Sequence, residues 1–416
     1  MIFDVIIVGG GAAGFFTAIQ IATQNPKLNV VILERGKEVL TKVKVSGGGR
    51  CNVTHAEFIP NELVKSYPRG QKELRGPFHT FCSGDTVAFF EERGVALKIE
   101  EDGRMFPESN SSQTIIDCFL AETEKLGVKV NTSCGVKYIR ASTENESLWE
   151  VETSQGMLHS KKVVITTGSN PKIWQQLAQL GHTIIPLVAS LFTFNIKDSR
   201  IDGLMGVSTP ASVMLFDNKG NPIKLENGQK ASAQGPLLIT HWGVSGPAIL
   251  KLSAWGARAL ATLNYQFKIQ INWLPAYHQE EVLSELKELK TSEAKKVVFN
   301  SRPFDIPKRL WFKLLEVSEI SQQQHWAELS NTHLQKLSEA LTKATFQVNG
   351  KSTFKEEFVT AGGVDLKEIN FKTYESKLCK NLYFAGEVMN IDAVTGGFNF
   401  QNAWTGGYIV AQAIAE

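Results

Sequence analysis

At 416 residues the chain is too long for one ordinary core, so two or three compact units are expected. A hydrophobic share of 43% with 21% charged residues is that of a soluble globular protein, and no apolar run reaches the length of a membrane helix. The net charge is only +2, yet nine Lys/Arg against four Glu between Arg35 and Arg75 give a local +5, which suits either a solvated basic face or a site for an anionic cofactor or nucleic acid backbone. Five scattered cysteines without a CxxC pair, and eight histidines without ligand spacing, speak against a disulfide framework, a metal site and a dithiol centre. The expected setting is reducing and cytoplasmic.

The start, MIFDVIIVGGG, carries an acid at Asp4 and no basic leader, so it reads as a buried strand rather than a signal peptide. Phe3 to Val8 is the nearly continuous apolar run of a central parallel strand. Gly9, Gly11 and Gly14 follow in GxGxxG spacing, and AAGFFTAIQIAT then has a helical pattern. A second strand, Asn29 to Leu33, ends at Glu34. Together these make a complete dinucleotide fingerprint. Gly9 turns the chain, Gly11 admits a pyrophosphate, and Gly14 lets the helix pack on the strand. The free N–H groups around Ala12 and Ala13 face the phosphates, and Glu34, followed by Arg35, accepts hydrogen bonds from an adenosine ribose.

Helices are expected at Asp85 to Arg93 and Ser112 to Leu126, and another buried strand at Val163 to Thr167. From Leu187 to Trp273 short β-prone stretches separated by turns suggest a β-rich domain. Tyr277 to Ala344 has helical periodicity, glycine-punctuated strands return past Phe346, and Phe400 to Ala415 is a terminal helix. The architecture expected is α/β: a Rossmann-type domain from both chain ends (1–186 and 345–416), with an inserted β-rich domain (187–275) and a small helical one (276–344).

The far end of the chain decides the cofactor. LYFAGE is an apolar strand closing on Gly386 and Glu387, followed by Asp392 and TGGFNFQNAW. A carboxylate there can take ribityl hydroxyls. Gly396 and Gly397, a glycine pair opening the terminal helix, can with Phe398 and Asn399 aim N–H groups and a positive dipole end at the flavin pyrimidine oxygen, which gains charge on reduction. An NAD enzyme has no use for this second half-site, so FAD is the expected cofactor.

The combination of VGGGAAG, KVSGGGRCNVT, GRMFP, THWGVSGPAIL, TAGGV and YFAGEVMNIDAVTGGFNFQNAW resembles the BaiN / aminoacetone-oxidase-like flavoproteins, within the glutathione-reductase-type FAD enzymes. The resemblance runs from end to end and implies a two-part FAD domain with inserted β-rich and helical domains. It leaves the substrate open, since members are linked to small amines, steroid-like enones and uridine in ribosomal RNA. One departure stands out. Where the family commonly has a glycine-rich loop after the strand equivalent to VVITTGS, Ser169 here leads straight to NPKIWQQLAQLGH.

Lys44, Ser46, Gly47, Gly48, Gly49, Arg50 and Asn52 are expected to run beside the FAD diphosphate and ring. Glycines permit close approach there, Ser46 and Asn52 donate to flavin heteroatoms, and Arg50 balances diphosphate charge or touches the flavin. Cys51 is expected there as a packed small side chain rather than a redox group. Val136, Thr167 and Gly168 complete the expected cofactor contacts. Flavin carries hydride chemistry itself, so few catalytic side chains are needed. His241 in THWGVSGPAIL and Arg50 are the candidates, with Arg104 as support and Tyr374 a weaker alternative. No second fingerprint occurs in residues 130 to 345. Either NAD(P)H docks transiently at the flavin, or the substrate reduces it and oxygen or a carrier reoxidises it. The favoured function is an FAD-dependent oxidoreductase of a small organic molecule. The alternative is reduction of a pyrimidine in structured RNA, with Lys65, Arg69, Lys72 and Arg75 on its phosphates.

Overall fold

The computed structural model of the chain describes residues 2–142, 147–226, 228–352 and 359–416. Two compact units are present: Met1–Val188 with Lys355–Glu416, and Ala189–Phe354. The class is α/β, as expected.

In the first unit five strands lie side by side and parallel, in the order Lys129–Asn131, Val30–Leu33, Ile2–Val8, Gly156–Ile165 and Leu382–Phe384. Val5, Ile6 and Ile7 are fully buried. Continuous apolar strands of this kind are what a sheet covered on both faces requires. The register sets Val8 opposite both Leu33 and Ile165, and Ile165 opposite Phe384, so the carboxyl ends of four strands finish level. The helix Ala12–Gln24 packs on the terminal helix Phe398–Ala415. A Cβ at Gly407 would stand 2.7 Å from Thr17 Oγ1, so the missing side chain lets the two backbones meet. A small sheet of Thr54–His55, Arg104–Pro107 and Leu97–Ile99 adjoins this core, with the helices Ser83–Glu91 and Ser112–Lys125.

The second unit is a seven-stranded antiparallel sheet with the helices Pro247–Trp255, Gln279–Ser292, Lys308–Val317 and Asn331–Thr342. The helices expected to form a domain of their own belong to this unit. Residues from 345 were expected back in the domain of the chain ends. Instead the strand Ala344–Asn349 pairs along Gln266–Asn272, and it buries Ala344, Phe346 and Val348 in strict alternation. That period of two is the signature of a strand with one face on a core.

Candidate functional site

The level strand ends of the first unit form the floor of a crevice, the place where open parallel sheets bind ligands. From one side to the other they present Glu34, the turn Gly9–Gly11, the pair Thr167–Gly168, and Gly386–Glu387. Three strand spacings of about 4.8 Å separate the outer two, so the carboxylates stand at strand ends about 14 Å apart.

Each fingerprint glycine has its own reason. Gly9 has φ +115°, and a Cβ there would sit 2.7 Å from the Thr166 carbonyl oxygen. A Cβ at Gly14 would meet the Gly9 carbonyl oxygen at 2.0 Å, so helix and strand touch at that point. Gly11 differs. Its φ is −93°, and no protein atom lies within 4 Å of an added Cβ, so neither backbone strain nor packing demands glycine. What the missing side chain leaves is open space before the N-terminus of the helix Ala12–Gln24. Glu34 closes the turn: its Oε2 accepts from the Gly10 N–H at 2.9 Å and its Oε1 from the Gly36 N–H at 2.7 Å. The stretch 133–136 runs alongside, with the Ser133 N–H on the Gly36 carbonyl and the Cys134 N–H on that of Glu34. It brings Gly135, the residue before Val136, up to exposed Arg35, where a Cβ on Gly135 would touch the Arg35 Cβ at 3.4 Å.

On the other side Glu387 Oε2 accepts from Lys42 Nζ at 2.7 Å, and a Cβ on Gly168 would lie 3.5 Å from that oxygen. The carboxylate beside it holds the Lys42 ammonium above its ordinary range. Thr167 Oγ1 is buried without a hydrogen-bond partner among the described residues. After Asn170, whose side chain caps the helix Pro171–Gln179 by accepting from the Lys172 N–H, the chain leaves the crevice directly, as NPKIWQQLAQ suggested.

The SGGGRCN and TGGFNFQ motifs meet in space. Asn52, nine-tenths buried, accepts from the Gly397 N–H at 2.9 Å and donates to the Thr54 and Met105 carbonyls. The Trp404 indole donates to the Val53 carbonyl. Gly397, at φ +91°, lies so close that a Cβ would meet the Thr54 carbonyl oxygen at 2.5 Å. The terminal helix begins there, and its first N–H groups, from Phe398 to Phe400, have no intrahelical acceptor. Gly396 is hemmed in by Phe398 and His55, whereas a Cβ on Gly48 or Gly49 would meet nothing.

Several expected roles take another form. The stretch read as a loop starts with a helical turn at Thr41 and breaks at Ser46. Lys42 and Ser46 therefore share a face, and it is Lys42 rather than Lys44 that reaches Glu387; Lys44 stands exposed, 3.6 Å from Glu38. The Ser46 hydroxyl donates to the Val43 carbonyl, and both amide groups of Asn52 serve the fold, so these donors hold the loop itself. Arg50 lies over the Phe106 ring and pairs with Glu100 at 2.6 Å. Cys51 is fully buried in a left-handed conformation, with burial pushing its thiol up to about 12. Asp392 was expected at the cofactor. Its carboxylate is wholly buried in a bidentate pair with Arg69. Asn399 instead clamps the turn before it, its Oδ1 accepting from the Ala393 N–H at 3.0 Å.

That pairing also removes Arg69 from the surface, so of the basic segment Lys65, Lys72 and Arg75 stand exposed, Lys65 in an ion pair with Glu62. Arg104 binds Asp102 and Glu100. Tyr374 is buried in the core, against Phe371 and beside Gly406. His241 belongs to the second unit, exposed in the turn between Ser232–Ile239 and Gly243–Ser245. Lys42 and Arg69 were missed as site-building residues. For Lys42 the signal was present, since a helical turn from Thr41 puts it one turn before Ser46.

The residues present fit an FAD. The open space at Gly11, Gly48 and Gly49, the Thr167 hydroxyl without a partner among the described residues and the helix-start N–H groups from Phe398, which lack an intrahelical acceptor, are what an extended anionic dinucleotide requires. The class these features define is the FAD-dependent oxidoreductase. More particularly, the chain belongs to the HI0933-like Rossmann family, whose model matches residues 3–413. It is 30% identical over 421 residues to a ribosomal RNA dihydrouridine synthase of Escherichia coli, covering 99% of this chain and 97% of the relative. It is 26% identical to a 3-dehydro-bile acid delta(4,6)-reductase of Clostridium scindens, over 99% and 98% of the two chains. Among solved structures, the 3-ketosteroid-delta4-(5alpha)-dehydrogenase of Rhodococcus jostii shares the fold, with a TM-score of 0.52, 11% identity, and coverage of 100% of this chain and 97% of that one. No helix among the described residues is long and apolar enough to cross a membrane.

Proposed function

We propose that this oxidoreductase uses its flavin to reduce a carbon–carbon double bond conjugated with a carbonyl in a small organic substrate, with NAD(P)H as the electron source. The observation that carries the reading is the row of level strand ends, with Glu34 at one end, Glu387 at the other and the start of the terminal helix close by. In this reading Gly9, Gly11, Ala12, Ala13 and Gly14 hold the diphosphate and Glu34 the adenosine ribose. Val136 and Arg35 border the adenosine, and Thr167, Gly168, Gly386 and Glu387 serve the ribityl chain. The N–H groups of Phe398 and Asn399 serve the flavin pyrimidine edge. Bound flavin supplies the hydride. Lys42 keeps the Glu387 carboxylate in place, and Arg50 and Asn52 fix the SGGGRCN loop so that Gly48 and Gly49 admit close approach.

Two relatives support the choice of bond. Dihydrouridine is uridine saturated next to a carbonyl, and a delta(4,6)-reductase of a 3-dehydro compound saturates a conjugated enone. The first of those names also favours a second reading, an RNA uridine as substrate. We place it second because Arg69 is buried and Lys65 already has a carboxylate partner.

The test is anaerobic: reduce the holoprotein with NADH or NADPH, then follow the flavin band on adding conjugated enones, free uridine or ribosomal RNA. Reoxidation by an enone is expected, and replacing Lys65, Lys72 and Arg75 by Gln should leave it unchanged. Reoxidation by RNA alone, with a steep salt dependence flattened by that triple replacement, would reverse the ranking.

A further inference from the structure

Tyr67 has no place in the roles given so far, yet it touches the start of the terminal helix directly. Its phenol Oη donates to the Phe398 carbonyl oxygen at 2.6 Å, and both side chains are buried. Its ring meets Phe398 edge-on at 6.2 Å and Phe78 at 5.4 Å. The segment that carries it is fastened on both sides. The Ser66 carbonyl accepts from the Val394 N–H at 2.9 Å. The Arg69–Asp392 pair follows, and Gly70 lies so close to Ile391 that a Cβ would stand 2.7 Å from its side chain. Residues 66–70 thus splint the turn 391–394 that leads into the helix.

The bond to Phe398 is chemically distinctive because of the peptide it polarises. The Phe398 carbonyl and the Asn399 N–H belong to one planar unit. A donor on that oxygen draws electron density from the nitrogen and strengthens the N–H as a donor. We infer that Tyr67 is a positioning residue that raises the affinity of this site for reduced over oxidised flavin, by strengthening the Asn399 N–H toward the flavin pyrimidine oxygen. The inference rests on the proposed placement of the flavin at this helix start. Burial holds the phenol well above its ordinary titration range, so it stays a donor at every working pH.

The experiment compares wild type, Tyr67→Phe and Phe78→Leu, each reconstituted with FAD and with FAD carrying sulfur in place of the pyrimidine 2-oxygen. Redox titration gives the ratio of affinities for the reduced and oxidised forms, and apoprotein melting monitors packing. Tyr67→Phe keeps the ring and should lower the ratio about twofold, from a 10–30% weakening of one charge-assisted bond. Phe78→Leu should lower the melting temperature and leave the ratio at the wild-type value. If wild type binds both cofactors equally well, the flavin placement is wrong and the inference falls with it. If wild type discriminates but Tyr67→Phe keeps the wild-type ratio, or Phe78→Leu lowers it equally, the placement stands and the role of Tyr67 is refuted.

Discussion

Replacing Glu34 by Ala should damage the protein before any cofactor is added. In the structure its two carboxylate oxygens already hold the Gly10 and Gly36 N–H groups, at 2.9 and 2.7 Å. Hydrogen bonds to a charged group contribute about 1.5–3 kcal/mol each, and the half-exposed position of Glu34 favours the low end. A loss of about 2–3 kcal/mol follows, or about 4–6 °C in the melting temperature of the first unit in the apoprotein. The proposed ribose contact adds a second effect, a roughly tenfold weaker FAD affinity for about 1.4 kcal/mol. Glu34→Gln keeps one acceptor oxygen and should fall between. Differential scanning calorimetry of the apoprotein and fluorescence titration with FAD separate the two effects, and the visible spectrum of the bound flavin should stay unchanged. An apoprotein as stable as wild type would refute the stapling argument. Undiminished FAD affinity would refute the ribose assignment.

Glu387→Ala should weaken FAD about tenfold and also shift the visible flavin spectrum, whereas Lys42→Met removes an exposed ion pair of about 0.2–1 kcal/mol and should cost less than fivefold, shrinking further in high salt. Equal, spectrally silent effects of the two would count against a ring-side Glu387. Cys51 predicts a loss of stability in alkali: the folded thiol stays neutral up to about 12, while the unfolded thiol ionises from about 9.0. The unfolded state therefore binds fewer protons between those values, and stability falls as pH rises through that window. Urea midpoints from pH 8 to 11 should decline more steeply for wild type than for Cys51→Ala, and superimposed profiles would show that the thiol does not couple to folding.

The fingerprint half of the crevice was legible because its chemistry is local. Gly9, Gly11, Gly14 and Glu34 lie within one strand–helix–strand unit, and each glycine has the spatial reason its spacing implies. The terminal helix and the buried parallel strands were equally readable, since apolar runs and helical periods are properties of neighbouring residues. Side-chain partners were not. Asp392 and Arg69 are 323 residues apart, as a buried pair that no spacing rule connects, and so sequence alone points Asp392 toward the cofactor and Arg69 toward the surface. Lys42 and Glu387 are separated by 345 residues, and Tyr67 and Phe398 by 331. The strand Ala344–Asn349 alternates visibly in sequence, but only pairing with Gln266–Asn272 assigns it to the second unit. Sequence alone determined which backbone could approach a dinucleotide, because glycine and strand patterns are written into short stretches. Tertiary structure decided which charges and hydroxyls remain available to one, because a donor's availability depends on what the fold has already bonded to it.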